Sequence, residues 1–179
     1  MAFEDLLRMA EAGDPYAMRD VGICYMDGNG VERNNSKAMA WFRKAAGLGE
    51  PEAIHRLGVL YEKEKDYDEA MKLYLKATIL GNTRAMTNLG YLYINGYGME
   101  KDPVEAMRWY RRAADLGDPL AMRNLGISYY CVEQNREEAT YWLLKARDLF
   151  DPVAIQIISN LSSLNSWAQG DVHPPLLVQ

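Results

Sequence analysis

A chain of 179 residues with 49% hydrophobic and 25% charged residues suits one domain or one short repeat array, and this balance excludes intrinsic disorder for most of its length. Lys and Arg total 20 against 25 Asp and Glu, and the formal charge of −5 argues against a general nucleic-acid binder. Two cysteines, Cys24 and Cys131, are too few for a disulfide framework or a four-ligand zinc site.

Glu4 and Asp5 stand where a secretory signal needs a basic start, so the chain reads as cytoplasmic. Leu6, Ala10 and Gly13 follow helical spacing, and residues 2–13 read as a half repeat. Beyond them, Ala17, Ala53, Ala85, Ala121 and Ala154 recur at spacings of 36, 32, 36 and 33. Four of these alanines open the pattern Ala-x-x-x-(Leu/Val)-Gly-x-x-Tyr, ending at Tyr25, Tyr61, Tyr93 and Tyr129. Steps of four place these residues on one stripe of a helix, termed helix A. A second stripe follows each time, from Ala38 to Ala45, Ala70 to Ala77, Ala106 to Ala113 and Ala139 to Ala146, and predicts a helix B. The expected repeats are about 14–49, 50–81, 82–117 and 118–150, followed by a capping helix 151–168 and an extended tail 169–179.

The punctuation agrees. Pro15, Pro51, Pro119 and Pro152 occupy first helical positions, where a missing N–H costs nothing. Asp14, Glu50, Asp118 and Asp151 precede them as N-caps, and Asn82-Thr83 fills this place in the third copy. Helix B takes Asn34, Asp66, Asp102 and Asn135 as caps, and Gly49, Gly81 and Gly117 as left-handed terminators; Phe150 replaces the glycine in copy four. Gly22, Gly58, Gly90 and Gly126 lie inside helix A at a propensity cost of about 1 kcal/mol each. A close approach of the neighbouring helix is the expected compensation.

No catalytic set is apparent. His55 and His173 lack a Cys, Ser or second His at a spacing that suggests a triad or metal site. His55 reads as a surface or groove histidine, and Cys24 and Cys131 as buried or groove thiols. The Gly-x-Gly loops lack the Gly-Lys-Ser/Thr ending of a phosphate loop. Trp41, Trp109 and Trp142 read as packing in the inter-helix stripe, and the methionines at 39, 71 and 107 likewise. Lys44, Lys76, Arg112 and Lys145 recur six residues after the helix B alanine, as cations complementing helix C-termini on a solvated face. No cofactor, metal, membrane segment or nucleic acid is expected. The uncharged window 152–170 carries Ser, Asn and Gln throughout and cannot span a bilayer.

The helix A signature, the Gly-x-Gly loops at Gly28/Gly30 and Gly96/Gly98, and the Ala-x-x-Trp-x-x-x-Ala-Ala helix resemble the Sel-1-like repeat family, in the tetratricopeptide-like superfamily. The short loops of copies two and four resemble tetratricopeptide repeats more. The resemblance implies an all-α fold, a right-handed α-solenoid of helix–turn–helix repeats, and a non-enzymatic role as a protein-interaction adaptor. Some bacterial members look like inhibitors or immunity partners of toxins, which is the alternative reading; a hydrolase built on the groove is a weaker one.

In this superfamily helix A lines a concave groove. The resemblance points to positions two, three and six after the helix A alanine: Arg19, Asp20 and Ile23; His55, Arg56 and Val59; Thr87, Asn88 and Tyr91; Arg123, Asn124 and Ile127. Tyr130 lies one turn further. Three of the thirteen are Arg and one is acidic. The partner expected here is another protein, offering an extended peptide or loop with acidic or C-terminal carboxylate character. The tail, Pro174-Pro175-Leu176-Leu177-Val178, suggests self-association by docking into its own or a neighbour's groove.

Overall fold

The computed structural model describes residues 2–164, with side-chain environments for residues 2–160. Among the described residues every regular element is an α-helix: α1 (Phe3–Glu11), α2 (Pro15–Asp27), α3 (Asn35–Gly47), α4 (Pro51–Lys63), α5 (Tyr67–Ile79), α6 (Thr83–Asn95), α7 (Pro103–Asp115), α8 (Pro119–Cys131), α9 (Arg136–Asp148) and α10 (Pro152–Leu164). Helix A of the four copies is α2, α4, α6 and α8, and helix B is α3, α5, α7 and α9. The expected run of the last helix to 168, and the tail, lie outside the described residues.

The chain divides into two compact units, Met1–Ala85 and Met86–Gln179. Each has its own core. In the first, Ala10, Val21, Ala38, Phe42, Ala45, Ala53 and Leu57 are buried together. In the second, Ala106, Tyr110, Ala113, Leu125, Trp142, Leu143 and Ala146 are. The alanines that carry the sequence pattern are fully buried in both helices of each copy, which lets the helices pack closely.

One residue joins each helix B to the next helix A. The Glu50 N–H donates to the Ala45 carbonyl (3.1 Å) and the Gly49 N–H to Ala46 (3.1 Å), so α3 ends in a Schellman motif. The carboxylate of the same Glu50 accepts from the Ala53 N–H at 2.6 Å and opens α4. Asn82 closes α5 on Ala77 and caps Ala85 at 2.9 Å. Asp118 closes α7 on Ala113 and caps Ala121 at 3.1 Å; Asp151 closes α9 on Ala146 and caps Ala154 at 2.7 Å. The turn holds helix B and the next helix A in fixed register because its two hydrogen-bond duties fall on one residue. Gly49, Gly81 and Gly117 have φ of 82°, 82° and 91° there; Phe150 is forced to φ 63° with its ring 84% exposed.

The A-to-B loop is closed the same way in all four copies. The cap residue of helix B donates its N–H to the carbonyl of the pattern tyrosine: Asn34 to Tyr25 (2.8 Å), Asp66 to Tyr61 (2.9 Å), Asp102 to Tyr93 (2.9 Å) and Asn135 to Tyr129 (2.9 Å). The long loops of copies one and three therefore leave the hairpin closure unchanged. In the short loops, Lys65 and Gln134 adopt φ of 63° and 54° where no glycine is present.

The mid-helix glycines have the expected reason. A Cβ at Gly22 would lie 2.5 Å from the Phe42 ring, at Gly58 2.6 Å from Tyr74, and at Gly90 2.5 Å from Tyr110. At Gly126 it would meet Leu143 at 2.9 Å and the Ala139 carbonyl at 3.0 Å. The side chain that fills the notch stands four residues after the helix B alanine. The tryptophans expected in this stripe stand three after it: Trp142 is buried, and Trp41 and Trp109 are half-buried and pack against the cores of their units.

Candidate functional site

The thirteen helix A positions divide sharply by burial. In the first unit Arg19, Asp20, Ile23, Arg56 and Val59 are half-buried, and His55 is buried at 7% exposure. In the second unit Thr87, Asn88, Arg123, Asn124 and Ile127 are buried, leaving Tyr91 and Tyr130 half-buried. The surface reading of His55 is therefore corrected: its ring is buried and packs on Tyr74 of α5.

Position two after the alanine has a structural task. Arg19 Nη1 lies 3.4 Å from Glu50 Oε1, the cap of the next helix A. Thr87 Oγ1 donates to the cap Asp118 at 3.2 Å. Arg123 Nη1 donates to both oxygens of the cap Asp151, at 3.2 and 3.1 Å. In the second copy, where His55 stands, the cap Asn82 donates instead to Glu52 at 3.1 Å. Each contact ties one repeat to the next through a carboxylate or amide already fixed by helix capping.

The arginines thus carry less free charge than their number suggests. Arg19 also donates from Nε to Asp20 at 2.8 Å, and Arg56 Nε lies 2.9 Å from Glu52 Oε1. Arg19, Arg56 and Arg123 all meet carboxylates, and the positive character expected of this face is largely cancelled. His55 Nδ1 lies 3.8 Å from Glu52 Oε2, and its ring packs on Tyr74 with centroids 5.8 Å apart. Burial lowers its pKa to about 4; Glu52 opposes the shift, and Arg56 and Arg84 add to it. The imidazole is therefore neutral at pH 7.

Three of the four helix B cations have aromatic partners. Lys44 Nζ sits 4.0 Å over the Trp41 ring, Arg112 Cζ 4.8 Å over Trp109 and Lys145 Nζ 5.0 Å over Trp142. Tryptophan and cation are three residues apart, neighbours on one helix face, so the indoles, half-buried at Trp41 and Trp109 and buried at Trp142, are covered by charge that remains in water. The spacing was visible in the sequence, but the stacking was not drawn from it. Arg43 donates to the Tyr61 hydroxyl at 2.8 Å, and Arg111 donates to the Tyr129 hydroxyl in the same register two repeats later. Of the cysteines, Cys24 is half-buried and Cys131 exposed, so Cys131 is not the enclosed thiol expected; burial pushes both thiols upward.

With this geometry in hand, comparison with known proteins decides the family. The Sel1 repeat pattern matches residues 15–50, 83–118 and 119–149, and a tetratricopeptide repeat pattern matches 51–82. The chain belongs to the Sel1 repeat family. Its fold class is that of the Sel1-like α-solenoids, and repeats of these families form protein-interaction scaffolds. Copy two matches the tetratricopeptide form as its short loop implies; copy four, with a loop almost as short, matches Sel1.

A solved Sel1 repeat protein from Oxalobacter formigenes is 30% identical with a TM-score of 0.83, covering 96% of this chain and 72% of that one. The structure of immunity protein Pa5087 from Pseudomonas aeruginosa, 24% identical with a TM-score of 0.66, covers 97% of this chain and 64% of that one and shares the fold. Among curated proteins, the ERAD-associated E3 ubiquitin-protein ligase component HRD3A of Arabidopsis thaliana is 37% identical over 62 residues, 34% of this chain and 9% of the relative. The chain thus matches about a tenth of the length of that relative. Among the described residues no helix is long and apolar enough to cross a membrane.

Proposed function

We propose that the chain is an adaptor that binds an extended segment of a partner protein along its helix A faces. The observation that carries this reading is the position six after the helix A alanine. Ile23, Val59 and Tyr91 stand there in three successive copies, apolar and half-exposed. Ile23 also packs on the first unit's core and Tyr91 on Tyr97, yet each leaves apolar surface in water, and such surface at the helix A register of each unit offers anchors to a bound segment. Asp20 and Arg56, three residues before Ile23 and Val59 on the same helices, supply hydrogen-bonding groups, and Tyr130 stands on α8. The HRD3A relative, by name a component of a ligase assembly, is in keeping with a role in bringing proteins together.

The pairing of Arg19, Arg56 and Arg123 with carboxylates redirects the ligand expectation. Apolar anchoring and hydrogen bonds select the partner on these faces, and net negative charge does not. The test is affinity capture of a partner with the intact chain, repeated with Ile23→Ser/Val59→Ser/Tyr91→Ser. The expected result is an unfolding temperature within a few degrees of the parent and loss of the partner. Undiminished capture contradicts the helix A reading. A single enzyme held in equimolar amount, and inhibited, marks an inhibitor; several partners mark an adaptor.

A further inference from the structure

We propose a second docking site, independent of the helix A faces, in which α7 and the end of α8 hold an acidic peptide segment. A cavity of about 360 Å³ opens between them. Val104 and Met107 form its apolar part, and Arg108, Arg111 and Arg112 bring three guanidinium groups to it. Glu133 is the one acid in its lining; Arg108 meets Glu105 at 2.9 Å and Arg111 meets Glu138 at 3.8 Å, both solvent-exposed pairs that a peptide carboxylate can replace, and among the described residues Arg112 is paired with no acid.

Repetition separates the parts that hold the fold from the part that does not. In copy one the same register carries Arg43 bonded to Tyr61 and Lys44 stacked on Trp41, just as Arg111 bonds Tyr129 and Arg112 stacks on Trp109 in copy three. These contacts are framework. The addition in copy three is Arg108, whose register is held by Ala40, Lys72 and Tyr141 in the other copies. Its side chain is 70% exposed, and its one carboxylate is Glu105 at 2.9 Å, a surface pair on the same helix with little energetic hold. Among the described residues Arg112 meets no carboxylate within ion-pair range.

The framework also fixes where the charges point. Arg111 is clamped between the Tyr129 hydroxyl and the Trp142 face, 4.7 Å from that ring, and Arg112 lies flat on Trp109. Guanidinium groups held in this way lose little further freedom on binding, and their planar forks match carboxylates. The exposed Val104, at 57%, gives an apolar side chain of the ligand a place to rest. A carboxylate-bearing peptide with one apolar residue fits this combination. A nucleic-acid strand does not, because the surrounding chain is acidic and the basic area is a single cavity rather than a track.

The test uses the full chain and a fluorescein-labelled peptide of sequence Glu-Glu-Leu-Glu-Glu, with Gln-Gln-Leu-Gln-Gln and a single-stranded oligonucleotide as comparisons, followed by fluorescence anisotropy. The acidic peptide is expected to bind, to weaken as salt rises, and to lose about tenfold or more in affinity in Arg108→Gln/Arg112→Gln. Arg108→Lys is expected to retain part of the affinity, and Ile23→Ser/Val59→Ser to leave it unchanged. Equal binding of the Gln peptide, tighter binding of the oligonucleotide, or unchanged affinity in the double variant overturns the site. Both arginines are exposed, but Arg112→Gln also removes the stacking on Trp109, so thermal unfolding of each variant is measured alongside, and Arg108→Gln alone, at a residue outside the framework, is expected to weaken binding in a chain that unfolds as the parent does.

Discussion

Arg123 and Asp151 meet at 3.1 Å with side chains only 5% and 7% exposed, and Asp151 simultaneously caps α10 through the Ala154 N–H. A helix cap has become half of a buried ion pair linking one repeat to the next. Removing one partner leaves the other charge buried alone. Arg123→Met is therefore expected to destabilise by about 3–5 kcal/mol. Arg123→Met combined with Asp151→Ser removes both charges, keeps a capping oxygen and is expected to recover most of that loss. Urea denaturation of the two single variants and the double variant measures the coupling; additive losses contradict the pairing.

Gly90→Ala inverts the ordinary preference. In a free helix alanine is favoured over glycine by about 1 kcal/mol. Here the new Cβ would stand 2.5 Å from the Tyr110 ring, whose body is fully buried and has no room to retreat. A loss of about 1–3 kcal/mol is expected from overpacking. Gly47→Ala, where a Cβ meets nothing within 4 Å, serves as the control and is expected to be neutral or stabilising. Similar melting temperatures for the two variants contradict the notch.

Phe150→Gly is expected to stabilise. Phe150 occupies at φ 63° the turn position that glycine fills in the other three copies, and its exposed ring returns little burial. A left-handed backbone costs a side-chain-bearing residue about 1–2 kcal/mol, and relief of about 1 kcal/mol is expected after the entropy that glycine adds to the unfolded chain. Thermal unfolding of the variant below the parent temperature would show that the ring makes a contact of greater value.

His55 gives stability a pH dependence. Its folded pKa of about 4 lies below the ordinary 6.5, because burial and the nearby Arg56 and Arg84 disfavour the imidazolium more than Glu52 favours it. Above the ordinary value both folded and unfolded chains hold it neutral, and there is no effect. As pH falls from there toward the folded value, only the unfolded chain takes up the proton, and stability drops by about 1.4 kcal/mol per pH unit. Relative to His55→Gln, the parent is expected to lose about 2 kcal/mol more between about pH 7 and pH 5. Parallel pH profiles for parent and variant contradict it.

The helices, their caps and their terminators were legible because each is a local problem. Asp118 three residues before Ala121, or Gly117 after α7, satisfies backbone groups within one turn, so the pattern appears directly in the sequence. The notch at Gly90 was legible as a need, but Tyr110 as its occupant was not, since the offset from Trp109 to the next residue depends on how the two helices rotate against each other. The partners of Arg19 and Arg123 lie about thirty residues away, and only stacking of repeats reveals that these charges are already met. Position two after the alanine, read from the sequence as part of a binding face, also serves as a joint in copies one, three and four.

The most direct test of the interaction reading is site-specific photo-crosslinking. A benzophenone amino acid placed at Val59 or at Tyr91, both half-exposed on helix A, is compared with one at Lys72, exposed on helix B. Crosslinked partner recovered from Val59 and Tyr91 and absent from Lys72 is the result predicted. Equal yields from all three positions, or partner captured from Lys72 alone, would contradict a helix A binding face.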